Sequence, residues 1–218
     1  RPGGGFQVEL GSHGDDKDEM AAPPFGHQGF VDLLHRLPQF AGHRYAVDAV
    51  VVLAGTNDFN AGVPLGEWYE VRESECPMPG SGVGTRMRRT PSADPGTLNA
   101  VLAFLKEHYT TKQVILLTPL HRGYARFSDR NVQPDESFPN RLGLYADAYV
   151  AKIREAGSVW AVPVIDLNSI SGLYPLADSH VRYFSDGQTD RLHPNAAGHE
   201  RMARALACQL LAFPACFD

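Results

Sequence analysis

Long apolar runs are missing from these 218 residues. None approaches the roughly 18 consecutive apolar residues that a spanning helix needs, so no membrane partner is expected. Positive charge is also in short supply. With 20 Lys and Arg against 25 Asp and Glu, the net charge of -5 gives no electrostatic reason to bind nucleic acid or an anionic membrane. Cysteine is scarce, and Cys76, Cys208 and Cys216 form no metal-ligand array, although a disulfide between two of them stays open. The nine histidines show no paired ligand spacing with carboxylates on one helix face, and His193 with His199 is too loose a pair. Neither a metal nor an organic cofactor is expected. Internal repeats and linker-like stretches are absent too, which points to a single domain over residues 1–218. Arg1 to Gly5 is not followed by the apolar core of a signal peptide, and a trimmed chain would look the same, so the compartment stays open.

What is present alternates between two periodicities. Phe6 to Leu10 reads as a strand running into a Gly11–Gly14 loop, and Gln28 to Leu37 as a helix closed by Pro38. Val47 to Ala54, Gln113 to Thr118 and Val162 to Leu167 are short apolar runs of the kind buried on both faces of a parallel sheet. Between and after them, Leu98 to His108, Arg141 to Ala156 and Asn195 to Leu211 carry helical spacing. In the second of these, Leu142, Tyr145, Tyr149, Val150 and Ile153 form the expected buried stripe. Residues 60–96 and 120–139 read as irregular, and they are long enough to be functional rather than mere connectors. Strands alternating with helices predict an α/β fold with a parallel sheet between helical layers.

Chemistry-bearing residues gather where such strands end, and ligands of open α/β sheets bind there. The first apolar run ends in Gly55-Thr56-Asn57-Asp58, and the second is followed by His121 and Arg122. Near the C-terminus comes Asp190-Arg191-Leu192-His193-Pro194, read as a turn held by Pro194. An Asp three residues before a His can set the ring's tautomer and leave its other nitrogen as a general base for a hydroxyl. An Asn amide at a strand end can donate to the oxyanion of a tetrahedral intermediate. The plainer roles are a turn-forming Asn57 and a surface His193 ahead of a helix capped by Asn195.

Gly55-Thr56-Asn57-Asp58 and Asp190-x-x-His193-Pro194, in this order, resemble the GDSL-type or SGNH hydrolases, a superfamily of esterases, lipases and carbohydrate deacetylases. The resemblance implies a flavodoxin-like three-layer α/β/α sandwich. It further implies His193 as base, Asp190 as its orienting carboxylate and Asn57 as an oxyanion donor, with Gly29 or alternatively Gly14 as the oxyanion glycine. The stretches around Asn57 to Gly62, Thr118 to Gly123 and Tyr174-Pro175 look like a bacterial subgroup linked to polysaccharide breakdown. The expected activity is therefore serine ester hydrolysis, removing a small acyl group such as acetyl from a carbohydrate or small ester. His121 and Arg122 are the candidates for holding a sugar or a carboxylate.

One family mark is missing. There is no Gly-Asp-Ser turn in the chain, so the block carrying the nucleophile reads as absent or displaced. Ser12, in Leu10-Gly11-Ser12-His13-Gly14, is the in-chain candidate nucleophile; Ser81 follows Asn57 and so stands in the wrong order. A non-catalytic, glycan-binding relative is the alternative that this gap keeps open.

Overall fold

The structure is a computed structural model, and it describes residues 49–78, 82–91 and 98–213. The expected elements at Phe6–Leu10 and Gln28–Leu37 lie outside the described residues, as do Ser12, Gly14, Gly29 and Ser81.

A parallel sheet carries the fold. Its strands are β1 (Ala49–Leu53), β4 (Gln113–Leu117) and β7 (Val164–Ile165), in spatial order β1-β4-β7. Val51 pairs with Ile115 and Leu117 with Ile165, and both pairings are parallel. The connections run through α2 (Leu98–His108) and α3 (Ala146–Trp160), as parallel neighbours require. β4 is buried at every position. Its alternate side chains feed two different cores. Val114 and Leu116 join Val101, Leu102 and Leu105 of α2 and Ile153 and Ala156 of α3. Ile115 and Leu117 face the other way, onto Leu167, Phe184 and the Met202 and Leu206 of α5 (Ala196–Leu210). Helices thus cover both faces of one sheet, the α/β sandwich expected from the alternating periodicities.

Two smaller sheets are attached. Residues 60–96, expected to be irregular, contain an antiparallel ribbon of β2 (Tyr69–Met78) and β3 (Gly82–Pro91). The ribbon hid from a periodicity reading because Val71, Val83 and Met87 are exposed, the first and last flanked by charged residues and Val83 by glycines. Residues 120–139 likewise contain β5 (Ala125–Ser128) and β6 (Asn131–Gln133). These join β8 (Phe184–Asp186) and β9 (Asp190–Pro194) in the order β6-β5-β9-β8. The Asp190–Pro194 motif is therefore a strand, not the expected turn.

Two other boundaries moved. The helix expected from Arg141 begins at Ala146, leaving Leu142 and Tyr145 exposed instead of in the buried stripe. The Asn140 side chain accepts hydrogen bonds from the Leu142 and Leu144 N–H groups, and Gly143 sits at φ 75°, so residues 140–144 form a turn of their own. The strand expected over Val162–Leu167 shrinks to Val164–Ile165, because Leu167–Ile170 winds into a short helix, α4.

Trp68, ahead of the ribbon, packs on the body of the fold. Its indole N–H donates to Glu155 at 2.7 Å, and the Lys152 ammonium lies 4.0 Å from the ring centroid. Cys208 is an exposed free thiol. Among the described residues no helix is long and apolar enough to cross a membrane.

Candidate active site

The carboxyl ends of β1 and β4 build the first part of the site. After β1 the chain turns through Gly55 at φ 113°, a conformation that favours glycine. A Cβ there would also meet Ile153 Cδ1 and Pro119 Cγ at 3.0 Å. The turn starts the short helix α1 (Thr56–Ala61), with Asn57 partly exposed in its first turn and Phe59 buried beneath. Phe59 meets the Tyr149 ring edge-on at 5.8 Å. The Asn140 amide donates to Phe59 O and to the Tyr149 hydroxyl, which in turn donates to Val63 O at 2.6 Å. Burial, with Asp58 nearby, holds the Tyr149 hydroxyl above its ordinary range, so it remains a donor at neutral pH.

Arg122 locks the same turn from the β4 side. Its side chain is buried, and its nitrogens donate to Pro134 O at 3.1 Å, Asn60 Oδ1 at 3.2 Å and Gln133 Oε1 at 2.7 Å, with Thr56 O at 3.5 Å. All four acceptors are neutral oxygens. Desolvation accordingly lowers the guanidinium to about 10, still charged at physiological pH. Next to it, His121 Nδ1 lies 2.8 and 3.1 Å from the two Glu136 oxygens. Glu136 also accepts the Arg122 backbone N–H at 2.8 Å. Glu136 escaped sequence reasoning because it lies 15 residues from His121 in a segment without periodicity.

The second part comes from β9. Asp190 Oδ1 accepts the backbone N–H groups of Leu192 and His193, each at 3.0 Å. Its Oδ2 stands 2.9 Å from His193 Nδ1. The carboxylate is thus fixed by the backbone of the residues that follow it, and the imidazole is fixed by the carboxylate. A proton on Nδ1 satisfies that contact and leaves Nε2 basic. Asn195 caps α5 by accepting from Ala197 and Gly198 N–H groups, directly after the strand ends at Pro194. The His193 side chain is 41% exposed, open enough to meet a substrate.

The two parts are joined by backbone pairing. Ala125 pairs with Asp190, and the Arg191 N–H donates to Tyr124 O at 2.8 Å. A cleft of about 200 Å³ opens beside the strand ends, lined among others by Gly55, Thr56, His121, Arg122, Glu136 and Asn168. Asn57 and His193 are not among its lining residues. Structure therefore brings Asp190 to His193, and His121 and Arg122 to the Gly55–Thr56 turn. Among the described residues no three His, Cys, Asp or Glu side chains are grouped to hold a metal ion.

At the carboxyl ends of β4 and β7, Asp166 ties the strand ends together. It accepts from Thr118 Oγ1 at 2.8 Å, Ser169 Oγ at 2.6 Å and Arg154 Nε at 3.0 Å. Burial pushes its carboxyl up, but these donors outweigh it and hold the group below its ordinary value of 3.8.

The arrangement is a parallel sheet between helices, with Asn57 beyond the end of β1 and a carboxylate-held imidazole on β9 of the neighbouring sheet. The chain belongs to the GDSL-like lipase/acylhydrolase family, which it matches over residues 10–201, and ester hydrolysis is the general chemistry of that family. One solved crystal structure is similar at 29% identity and a TM-score of 0.61, over 82% of this chain and 69% of its own. A structural-genomics protein from Lactobacillus plantarum is similar at 23% identity and a TM-score of 0.59, over 81% of this chain and 72% of its own. At that identity the second likeness is one of fold alone. No curated protein matches the chain.

Proposed function

We propose that this protein is a serine ester hydrolase that removes a small acyl group, acetyl above all, from a carbohydrate. The observation that carries the proposal is the fixed Asp190–His193 pair, with Nδ1 and Oδ2 2.9 Å apart, in a chain of the acylhydrolase family. In this reading His193 Nε2 takes the proton of a serine hydroxyl as that oxygen attacks the ester carbonyl. Asp190 steadies the imidazolium that results. The Asn57 amide donates to the oxyanion, an interaction worth a few kcal/mol (roughly 3–4) in comparable sites. Collapse of the tetrahedral intermediate expels the alcohol, which takes its proton from His193. Water then attacks the acyl-enzyme by the same route, releasing the acid and restoring the serine.

Acetate release from an acetylated sugar, followed for the wild type and His193→Ala, tests the proposal. Release by the wild type and loss of about 10³-fold or more in the variant is the expected result, from the size of comparable base deletions. Equal release by both proteins would remove His193 from the mechanism. A second reading, a glycan-binding relative without turnover, draws on the cleft being lined by His121 and Arg122 rather than by His193. It predicts sugar binding with no acetate released by the wild type.

A further inference from the structure

The described residues contain a second imidazole held by a carboxylate, and the acyl-transfer scheme does not use it. His121 Nδ1 lies 2.8 Å from Glu136 Oε1 and 3.1 Å from Oε2. Glu136 is itself fixed by backbone on both sides: its carboxylate accepts the Arg122 N–H at 2.8 Å, and its own N–H donates to Arg122 O at 3.1 Å. The ring meets Tyr174 edge-on at 5.2 Å. With the Nδ1 proton donated to Glu136, the neutral ring keeps a lone pair on Nε2, an acceptor of fixed direction. The residue lines the cleft together with Thr56, Asp147 and Asn168. Much of the lining is apolar, with Phe59, Pro119, Leu120 and Val150 in it, so a directed acceptor in this wall is matched by a hydroxyl donor. The 121–125 segment also runs beside β9, through the pairing of Ala125 with Asp190 and the bond from Arg191 N–H to Tyr124 O.

We propose that His121, oriented by Glu136, accepts a hydrogen bond from a free hydroxyl on the alcohol portion of the substrate, and so selects esters of polyols such as sugars over esters lacking a neighbouring hydroxyl. His121 is then a specificity residue and Glu136 its positioning residue. The inference rests on the ester-hydrolase reading above and names its substrate class. A site built to pair with a substrate hydroxyl discriminates strongly, because an analogue without it leaves a polar group unpaired in the complex.

The test compares kcat/KM for an acetylated methyl glycoside and for p-nitrophenyl acetate, in the wild type, His121→Ala and His121→Gln. In His121→Ala the ratio of sugar ester to aryl ester is expected to fall about 10- to 100-fold, chiefly through KM, as the loss of one directed hydrogen bond to a bound substrate predicts. His121→Gln, whose Oε1 can accept, should recover part of that ratio. Glu136→Gln should lower the ratio as well, because its amide can donate to Nδ1 and so reverse the tautomer. An unchanged ratio in His121→Ala overturns the proposal, whether both rates fall together or neither moves. Calorimetric titration with the unacetylated methyl glycoside reads the same contact without turnover. Wild type that binds the glycoside but hydrolyses neither ester would remove the hydrolase reading. Undiminished glycoside binding by His121→Ala would remove the His121 proposal by itself.

Discussion

Gly123 is the point at which a single methyl group should disturb both stability and chemistry. A Cβ built on Gly123 would lie 2.2 Å from the Arg191 carbonyl oxygen and 2.7 Å from its carbon. Ordinary carbon–oxygen contacts are about 3.3 Å, so in Gly123→Ala the β9 backbone must retreat by about 1 Å. That movement strains the bond from Arg191 N–H to Tyr124 O and the one from Arg126 N–H to Thr189 O. Overpacking of this kind costs about 1–3 kcal/mol, and two weakened backbone bonds add about 1 kcal/mol each. The expected loss is about 3–5 kcal/mol, or a fall of about 6–20 °C in Tm for a domain of this size. His193 lies two residues beyond Arg191 on the same strand, so the base moves with it. A displacement near 1 Å can cost about 100-fold in rate. Differential scanning fluorimetry reads the first effect and ester turnover the second. A Tm within about 2 °C of the wild type, with kcat/KM unchanged, would refute the claim that the close approach of Gly123 to Arg191 sets the position of β9.

Other perturbations separate the remaining contributions. Arg122→Met should destabilise by about 2–3 kcal/mol in urea unfolding: the three shorter charged hydrogen bonds, to Pro134, Asn60 and Gln133, are lost at about 2 kcal/mol each while the long Thr56 contact counts for little, offset by roughly 3 kcal/mol of relieved desolvation. A neutral outcome would mean that desolvation outweighs the hydrogen bonds. Asn57→Ala should lower kcat by about 10²- to 10³-fold with little change in KM, if its amide meets the oxyanion. A change confined to KM would assign it to binding. Asp166→Asn should lower Tm at neutral pH. Because the folded carboxyl lies below its ordinary 3.8, its stabilising effect is present above that pH and is lost as pH falls through the folded value. The Tm gap between wild type and Asp166→Asn should therefore close on acidification, and a gap constant from pH 7 to 3 would contradict the hydrogen-bond assignment.

How far the sequence reaches depends on whether a feature is local. Leu98–His108 shows its ends because apolar spacing and burial coincide, and Asn195 is legible as a cap because capping involves only the next few residues. The Asp190–His193 contact is legible for the same reason, spanning three residues. By contrast, Arg141–Tyr145 carries helical spacing but obeys the Asn140 side chain and Gly143, so the pattern misplaces the helix start. The β2–β3 ribbon was hidden because its side chains are largely exposed and it has no buried face to set a period. The partners of Arg122 and His121 come from residues 56, 60, 133, 134 and 136, and a non-local convergence of that kind leaves no spacing to read. The candidates for nucleophile and oxyanion glycine, Ser12 and Gly29 or Gly14, lie outside the described residues.

The central claim is that His193 activates a serine hydroxyl for attack on an ester. A fluorophosphonate reacts with such an activated serine, and intact mass followed by peptide mapping locates the adduct. The account predicts one adduct on one serine of the wild type, with labelling slowed at least about 100-fold in His193→Ala. An adduct on Ser12 would assign the nucleophile, and an adduct elsewhere would remove that candidate. Ester turnover without any adduct, or labelling indifferent to His193→Ala, would contradict the account.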